Sequence, residues 1–236
     1  TYNSTTGRYL ISTPGIPAKK LGDTVYMKLY VKKSNGEYVY SKLFSYSPKT
    51  YATNQLKNST DANVKALMVA MLNYGAAAQQ RFGYGTSDLA NNQLTETQQG
   101  WASQELAALT NSQVKGTNFL ATRLILESRI QLQMAFKNLK TDMYAIYTFT
   151  NNKGQVQNIR VEGTEFVDAN GVLAIEMSEL VYADARTVVE VTVYNADGTV
   201  HATASDSIES ACARSNGDVF TALMKFADSA KAHLYG

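Results

Sequence analysis

The residues in this sequence with the clearest chemical use are aromatic and amide side chains. Trp101 is the only tryptophan, and its neighbours are polar: Gln98, Gln99, Ser103 and Gln104. Tyr38 and Tyr40 are two residues apart, so on a β-strand both rings lie on the same face. Tyr84 and Gln80 lie near the end of a helical pattern. Flat rings beside neutral hydrogen-bonding groups suit uncharged ligands better than ionic ones.

The sequence lacks the common catalytic and phosphate-binding motifs. It contains no Walker loop, no HExxH, no GxSxG, no glycine-rich dinucleotide fingerprint and no EF-hand spacing. Acidic residues fall mainly at turns and helix starts, as at Asp61, Asp197 and Asp218, where solvated or capping roles are usual. Two carboxylates across a cleft could still serve a glycosidase. We nevertheless expect no active site and no catalytic residue.

Composition excludes several classes of partner. The 236 residues include 22 Lys and Arg against 20 Asp and Glu, and basic residues form no run longer than two, so nucleic acid is not an expected partner. No apolar run approaches the roughly 18 residues of a membrane span, so we predict no membrane insertion. Cys212, His201 and His233 are too few and too scattered for a disulfide or a metal site, and no cofactor is implied.

A strand–turn–strand pattern occurs twice in the sequence. The first copy covers residues 24–40 with Asn35-Gly36 between its strands, and the second covers residues 188–202 with Asp197-Gly198. Asn-Gly and Asp-Gly tolerate the positive φ angles of a type I′ turn, so each copy is predicted to be a β-hairpin. Because helical patterns follow both hairpins, the chain is predicted to be a duplicated unit.

A long amphipathic helix is predicted after each hairpin. Both helices contain the tripeptide Ala-Leu-Met, at residues 66–68 and 222–224, and their apolar residues recur with helical spacing. Asp61 and Asn216 are the predicted N-caps of the two helices, and Gly83 is the predicted C-terminal cap of the first.

Shorter helices are predicted ahead of the two long ones. Ser47 followed by Pro48 supplies a cap and a first-turn proline for a helix over residues 49–56. Residues 206–213 occupy the matching position in the second copy.

The stretch between the two copies, residues 87–115, is rich in Gln and Asn and is predicted to be helical. Thr95 and Gln98 have the spacing of a capping box. Gly100 weakens the helical pattern without ending it.

The second copy has more predicted strands in front of its hairpin than the first. They cover residues 124–126, 130–136, 144–149 and 155–160 and indicate a β-sandwich. The first copy has only residues 8–11 there, so either it is a truncated unit or its strands complete a sheet with the second copy. The predicted fold class is α+β, with two related lobes of antiparallel, sandwich-like strands followed by packed helices, over residues 1–114 and 115–236.

The most distinctive stretch of the sequence is residues 71–84, MLNYGAAAQQRFGY. Gly75 and the three alanines after it would let a neighbouring element approach the backbone closely. Tyr74 is predicted at the edge of the apolar stripe, where its ring can pack and its hydroxyl can reach water or a partner.

These residues, with residues 43–48 and 51–52 ahead of them, resemble a module that recurs in large secreted surface proteins of gut clostridia. In that family, strands lead into a Tyr-Ala helix and then a helix ending in an Asn-Tyr-Gly, Ala-Gln, Phe-x-Tyr pattern. The likeness extends to residues 116–136 and, more weakly, to the second long helix, where Ala230-Lys231 replaces the Tyr-Gly pair.

Among family members with a known role, the chain looks like modules of the starch adherence system, which belong to bacterial amylosomes. The resemblance implies a non-catalytic starch-binding module that holds α-1,4-glucan, such as amylopectin or maltooligosaccharides, in a groove between its lobes. It also implies a secreted, cell-surface location within a larger multidomain protein. The alternative is a structural or protein-interaction spacer, and an enzyme is a third possibility.

Glucan binding of this kind would use aromatic faces for the pyranose rings and neutral polar groups for the sugar hydroxyls. The candidate ligand-binding residues are Trp101, Tyr84, Tyr38, Tyr40 and Gln80. An amphipathic helix could instead bury Trp101. Tyr38 and Tyr40 could simply pack across a half-buried sheet.

Overall fold

The computed structural model describes residues 2–9, 15–127 and 129–236. Within these residues the chain forms antiparallel sheets and α-helices, so the predicted α+β class is confirmed. The order of hairpin, short helix and long helix occurs twice along the chain.

The first part of the chain forms three separate two-stranded ribbons. Their strands are β1 (Tyr2–Asn3), β2 (Arg8–Tyr9), β3 (Val25–Met27), β4 (Tyr30–Lys32), β5 (Tyr38–Tyr40) and β6 (Phe44–Tyr46). β1 pairs with β2, β3 with β6 and β4 with β5, all antiparallel. Residues 10 and 11 of the strand predicted over residues 8–11 lie outside the described residues. In the part of the chain that the structure describes, these ribbons join no strand of the second copy.

Two helices follow the ribbons, α1 (Pro48–Asn58) and α2 (Ala62–Phe82). The hydroxyl of Ser47 accepts a hydrogen bond from the backbone amide of Thr50 at 3.0 Å. The carboxylate of Asp61 accepts from two backbone amides in the first turn of α2. Gly83 ends α2 with a φ of 62°. The caps predicted at Ser47, Asp61 and Gly83 are therefore confirmed.

The helix predicted over residues 87–115 is confined to α3 (Glu96–Gly100). The capping box predicted at Thr95 is present. The rest of that prediction is wrong, because part of this segment finds hydrogen-bond partners outside a helix. For example, the backbone amide of Ser112 donates to the hydroxyl of Ser210, 98 residues away, at 3.0 Å.

The second part of the chain forms two sheets. Their strands are β7 (Val114–Lys115), β8 (Phe119–Leu126), β9 (Ile130–Phe136), β10 (Tyr144–Thr150), β11 (Val156–Glu162), β12 (Val167–Asp168), β13 (Leu173–Met177), β14 (Val189–Tyr194) and β15 (Val200–Asp206). One sheet has the order β11-β10-β14-β15-β7 and the other the order β12-β13-β9-β8. The four strands predicted ahead of the second hairpin are thus confirmed as β8, β9, β10 and β11.

Apolar residues from both sheets and from the helices share the largest core cluster. On β14, Val189, Val191 and Val193 are buried, and the residues between them are more exposed. This alternation is typical of a strand with one face inside a sandwich. Leu132 of β9 and Met177 of β13 are fully buried in the same cluster.

Both predicted hairpins form, but neither contains the type I′ turn. Asn35 and Asp197 do not have positive φ angles, whereas Gly36 and Gly198 do, at 86° and 83°. In the first hairpin, the backbone carbonyl of Lys33 closes the turn by accepting a hydrogen bond from the backbone amide of Gly36 at 3.0 Å. This is a three-residue loop in which the glycine alone takes the left-handed position, a common alternative to the two-residue turn.

Two helices, α4 (Ile208–Ala213) and α5 (Asp218–Tyr235), follow β15. The cap predicted at Asn216 is wrong. Gly217 occupies the N-cap, and its φ of 127° is one that residues other than glycine rarely adopt. α5 packs along α2. Tyr74 of α2 is buried at this seam with 2% of its surface exposed, so its predicted position at the exposed edge of the helix is also wrong.

Candidate functional site

Three tyrosines share one face of the β4–β5 ribbon. Tyr30 is directly opposite Tyr40, and Lys32 is opposite Tyr38, so the register places Tyr30, Tyr38 and Tyr40 on the same side. We call these three residues the tyrosine platform. The common face expected for Tyr38 and Tyr40 is thus confirmed, and the third ring comes from the opposite strand.

The three rings form one exposed aromatic cluster. The centroids of Tyr30 and Tyr38 are 5.4 Å apart, and those of Tyr38 and Tyr40 are 6.4 Å apart with their planes 27° from parallel. Tyr30 is 63% exposed, Tyr38 is 46% exposed and Tyr40 is 57% exposed. Exposed aromatic surface of this kind can stack against the apolar face of a ligand while the tyrosine hydroxyls stay in water.

Two lysines lie beside the tyrosine platform. The ammonium nitrogen of Lys28 is 5.0 Å from the ring centroid of Tyr40, and that of Lys32 is 5.6 Å from the centroid of Tyr38. These are cation–π distances, and at exposed sites such contacts contribute only about 0.5–1 kcal/mol. A ligand can therefore displace the lysines, or accept hydrogen bonds from them, at small cost.

Trp101 lies elsewhere, at the end of α3. Its ring is half-buried against the cluster of apolar residues around α1 and α2. The ammonium nitrogen of Lys65 lies 4.7 Å from the indole centroid. Trp101 is therefore neither fully exposed nor fully buried, and Lys65 lies close over its ring.

Trp101 also lines a groove of about 260 Å³ between α2 and α5. Polar residues make up much of its wall: Asn63, Ser103, Gln104, Glu105, Lys225, Asp228 and Ser229. A neighbouring groove of about 390 Å³ shares Ala102, Ser103 and Lys225 with it. This seam has the mixed polar and aromatic lining that sugar hydroxyls and ring faces require.

Tyr84 and Gln80 lie at the C-terminal end of α2. The hydroxyl of Tyr84 donates a hydrogen bond to Asp23 Oδ2 at 2.6 Å, and this bond raises the pKa of Tyr84 above its usual value. Gln80 is exposed. Its neighbour Gln79 is buried, and its side-chain oxygen accepts from the amide of Ala90 at 2.7 Å.

The five predicted ligand-binding residues therefore occupy three places. Tyr38 and Tyr40 share the tyrosine platform, Trp101 lines the groove between α2 and α5, and Tyr84 and Gln80 lie at the end of α2. Tyr30 was missed because its proximity to the other two tyrosines depends on strand register. The sequence does show that strands 24–31 and 37–40 pair. Which residues lie opposite each other depends on the turn type, and the turn type has to be known before Tyr30 can be placed beside Tyr40.

A second aromatic group on the outer face of the larger sheet was also missed. The rings of Tyr144 and Tyr194 stack with centroids 4.9 Å apart and planes 14° from parallel. The guanidinium carbon of Arg160 lies 3.6 Å from the centroid of Tyr144, and Arg160 also pairs with Glu162 at 2.6 Å. Because these groups cover one another's faces, less ring surface is free here than on the tyrosine platform.

Other kinds of site have little support in the described residues. Across residues 2–9, 15–127 and 129–236, no group of three or more His, Cys, Asp or Glu side chains could hold a metal ion. None of the helices described there is long and apolar enough to cross a bilayer. Cys212 is buried in the largest core cluster, and burial raises the pKa of its thiol to about 12.

No match was found when the chain was compared with protein-family models, with curated proteins and with solved structures. A function for the chain is therefore argued from its own residues and their geometry.

Proposed function

We propose that the protein is a non-catalytic carbohydrate-binding module for α-1,4-glucan chains, and that the tyrosine platform is its principal contact. The observation that carries this proposal is the exposure of three adjacent tyrosine rings on one face of the β4–β5 ribbon. A pyranose ring has an apolar face that stacks on aromatic rings, and its hydroxyls can bond to the tyrosine hydroxyls and to Lys28 or Lys32.

The groove beside Trp101 is proposed as a second contact for longer chains. In this proposal the two copies of the repeated unit are two related lobes, and the groove follows the line where α2 of one meets α5 of the other. The module would belong to a larger, secreted protein at the cell surface, where two contacts on one glucan chain raise the overall affinity.

Native affinity electrophoresis tests whether the protein binds glucan. The gels contain amylopectin, pullulan, dextran, xylan or no polysaccharide. We expect retardation in amylopectin, unchanged mobility in dextran and xylan, and no shorter products when the protein is incubated with maltoheptaose. Equal mobility in every gel would favour a structural or protein-interaction spacer, and released products would indicate an enzyme.

Calorimetry with maltoheptaose locates the contact. Tyr38→Ala and Tyr40→Ala are expected to lower the affinity at least about fivefold, because truncating an aromatic anchor typically costs more than about 1 kcal/mol. Tyr38→Phe should bind nearly as well as the unchanged protein, since the stacking face remains. Tyr235→Ala, at an exposed tyrosine near the end of α5, is the matched control and should leave affinity unchanged.

A further inference from the structure

The β3–β6 and β4–β5 ribbons expose apolar side chains that the tyrosine platform does not use. Val31 and Val39 are paired on the ribbon face opposite the platform, and they are 68% and 46% exposed. On the adjoining ribbon, Val25, Met27, Phe44 and Tyr46 line a groove of about 390 Å³ whose wall is almost wholly apolar. We call these six residues the apolar ribbon face. Exposed apolar surface of this extent on neighbouring elements usually marks an interaction site.

The second copy of the repeated unit shows what covers the equivalent face. The turns of the two hairpins match. In the first, the backbone amide of Lys33 donates a hydrogen bond to the backbone carbonyl of Glu37, and in the second the amide of Asn195 donates to the carbonyl of Thr199. Counting back from these turns, Val31 corresponds to Val193 and Met27 corresponds to Val189. Val189 and Val193 are both fully buried, whereas Val31 is among the most exposed apolar residues of the described chain.

Strands of both sheets surround β14 in the second copy: β10 of its own sheet covers its edge, and the other sheet covers its inward face. β14 pairs along its length with β10, from Tyr144 opposite Tyr194 to Thr148 opposite Glu190. The fully buried side chains Leu132, Met134 and Met177, from β9 and β13 of the other sheet, belong to the same core cluster as the inward valines of β14. Among its described residues, the first copy has the hairpin and the helices of this arrangement without these strands.

The first copy also has an open strand edge. Among the described residues, β4 pairs only with β5, whereas β14 pairs with both β15 and β10. An open edge presents backbone donors and acceptors that an added strand can satisfy. The edge and the apolar ribbon face belong to the same hairpin, so a partner with two layers of strands could pair with the edge and cover the face, as β10 and the β12-β13-β9-β8 sheet do for β14.

We propose that the apolar ribbon face and the edge of β4 together dock a partner made of two layers of antiparallel β-strands: one strand adds to β4 as β10 adds to β14, and the other layer covers the face. The occupant has apolar residues alternating along each strand. It is neutral or acidic outside them, because β3 to β6 and their loops carry Lys28, Lys32, Lys33 and Lys42 against the single acidic residue Glu37. The apolar groove continues inward to Met71 of α2, which packs on the buried cluster around α1 and α2. Docked strands would therefore extend an existing core. This inference is independent of glucan binding.

A peptide with the sequence of residues 142–163 is the probe, because in the second copy these residues form the β10–β11 hairpin that pairs with β14. The labelled peptide is titrated with the full chain and followed by fluorescence anisotropy. We expect saturable binding that protects the backbone amides of β4 from hydrogen exchange. Absence of saturable binding, or protection confined to other elements, would overturn the proposal.

Two substitutions at exposed valines distinguish specific binding at the apolar ribbon face from non-specific hydrophobic binding. Val31→Lys should weaken peptide binding at least about tenfold, because it places a charge beside the apolar side chains of the added strand. Val200→Lys, at a valine of β15 that is 57% exposed, is the control and should leave binding unchanged. Equal loss in both variants, or no loss in either, would remove the apolar ribbon face from the interaction.

Sedimentation of the chain alone tests the other occupant of this face, a second copy. A dimer that Val31→Lys dissociates would assign the face to self-association and overturn the proposed partner, and a monomer supports it. Titration of the same variants with maltoheptaose keeps the two proposals apart. Because Val31 lies on the face opposite the platform, Val31→Lys should leave glucan affinity unchanged, and failure of either proposal leaves the other standing.

Discussion

The rings of Tyr74 in α2 and Phe226 in α5 stack with their centroids 5.8 Å apart and their planes 15° from parallel. Tyr182, just before β14, meets both rings edge-on, at 6.2 Å from Tyr74 and 4.8 Å from Phe226. The long helices that follow the two hairpins therefore share one aromatic cluster. Burial raises the pKa of Tyr74 well above its usual value, so its hydroxyl stays protonated inside this cluster.

Truncation of this cluster should destabilise the whole protein. Tyr74→Ala is expected to lower the free energy of unfolding by about 3–5 kcal/mol, the usual cost of removing a buried aromatic ring. Phe226→Ala should cost somewhat less, because Phe226 is only partly buried. The two losses should combine less than additively, by about 0.5–3 kcal/mol, because both remove the same ring contact. Urea unfolding of the two single variants and the double variant measures this coupling, and strict additivity would contradict it.

Gly75 is expected to resist substitution because its neighbours leave little room. A Cβ atom at residue 75 would lie 2.6 Å from the end of the Leu21 side chain, 3.1 Å from the Cβ of Ala90 and 3.2 Å from the backbone oxygen of Ala18. The predicted close approach at Gly75 is confirmed: its neighbours are Ala18 of a one-turn 3-10 helix (Ala18–Lys20), Leu21 directly after that helix, and the loop residue Ala90.

Gly75→Ala should therefore lower stability by about 1 kcal/mol. Overpacking costs about 1–3 kcal/mol, and the better helix propensity of alanine recovers about 1 kcal/mol of it. Gly100→Ala, in α3, is the matched control, because nothing lies within 4 Å of its added Cβ. That variant should be neutral or slightly stabilising in the same thermal unfolding assay. An equal change in stability for the two substitutions would show that close packing around residue 75 is not the cause of the loss in Gly75→Ala.

Local signals predicted the elements of this fold well, and long-range partners explain what they missed. Ser47, Asp61 and Gly83 were found as caps because each cap depends on neighbours within one helical turn. The extended path after α3 and the burial of Tyr74 could not be found in this way. The first depends on Ser210, 98 residues from its partner Ser112, and the second depends on α5.

The candidate site was predicted in part for the same reason. The alternation of Tyr38 and Tyr40 is a local property of one strand and was visible in the sequence. The addition of Tyr30 required the register, which a glycine bulge at Gly36 sets differently from a two-residue turn. The separation of Trp101 from the tyrosines is a property of the tertiary structure, which spacing along the chain does not reveal.

The ion pair between Asp206 and Arg214 should make stability depend on acid pH. Burial by itself would raise the pKa of Asp206, but the Arg214 guanidinium and three neighbouring hydroxyl and amide groups outweigh it and lower that pKa. A carboxylate whose pKa is lowered by folding stabilises the protein above its unfolded-state pKa of about 3.9, and this stabilisation is lost as the pH falls through the folded-state value.

Asp206→Asn should remove this dependence. We expect a loss of about 2 kcal/mol at neutral pH, because hydrogen bonds to charged groups contribute about 1.5–3 kcal/mol. The difference from the unchanged protein should shrink as the pH falls below about 4. Urea unfolding at a series of pH values measures this difference in the free energy of unfolding. Glu162→Gln, at the exposed surface pair with Arg160, is the control and should alter stability little at any pH. A constant difference across the series would exclude the ion pair as its cause.

Trp101 and the tyrosine platform should differ in how binding depends on chain length. Lys65 covers part of the indole, so a sugar that stacks there must first displace its ammonium group. Trp101→Ala is therefore expected to weaken amylopectin binding several-fold and to leave maltotriose, which the platform can hold alone, unaffected. Lys65→Ala should strengthen amylopectin binding slightly by freeing the ring.

Because the contacts are stacking and neutral hydrogen bonds, calorimetry at low and high salt should give nearly equal affinities. A steep loss of affinity with salt would instead identify Lys28, Lys32 and Lys65 as the main contacts, and the ligand as an anion.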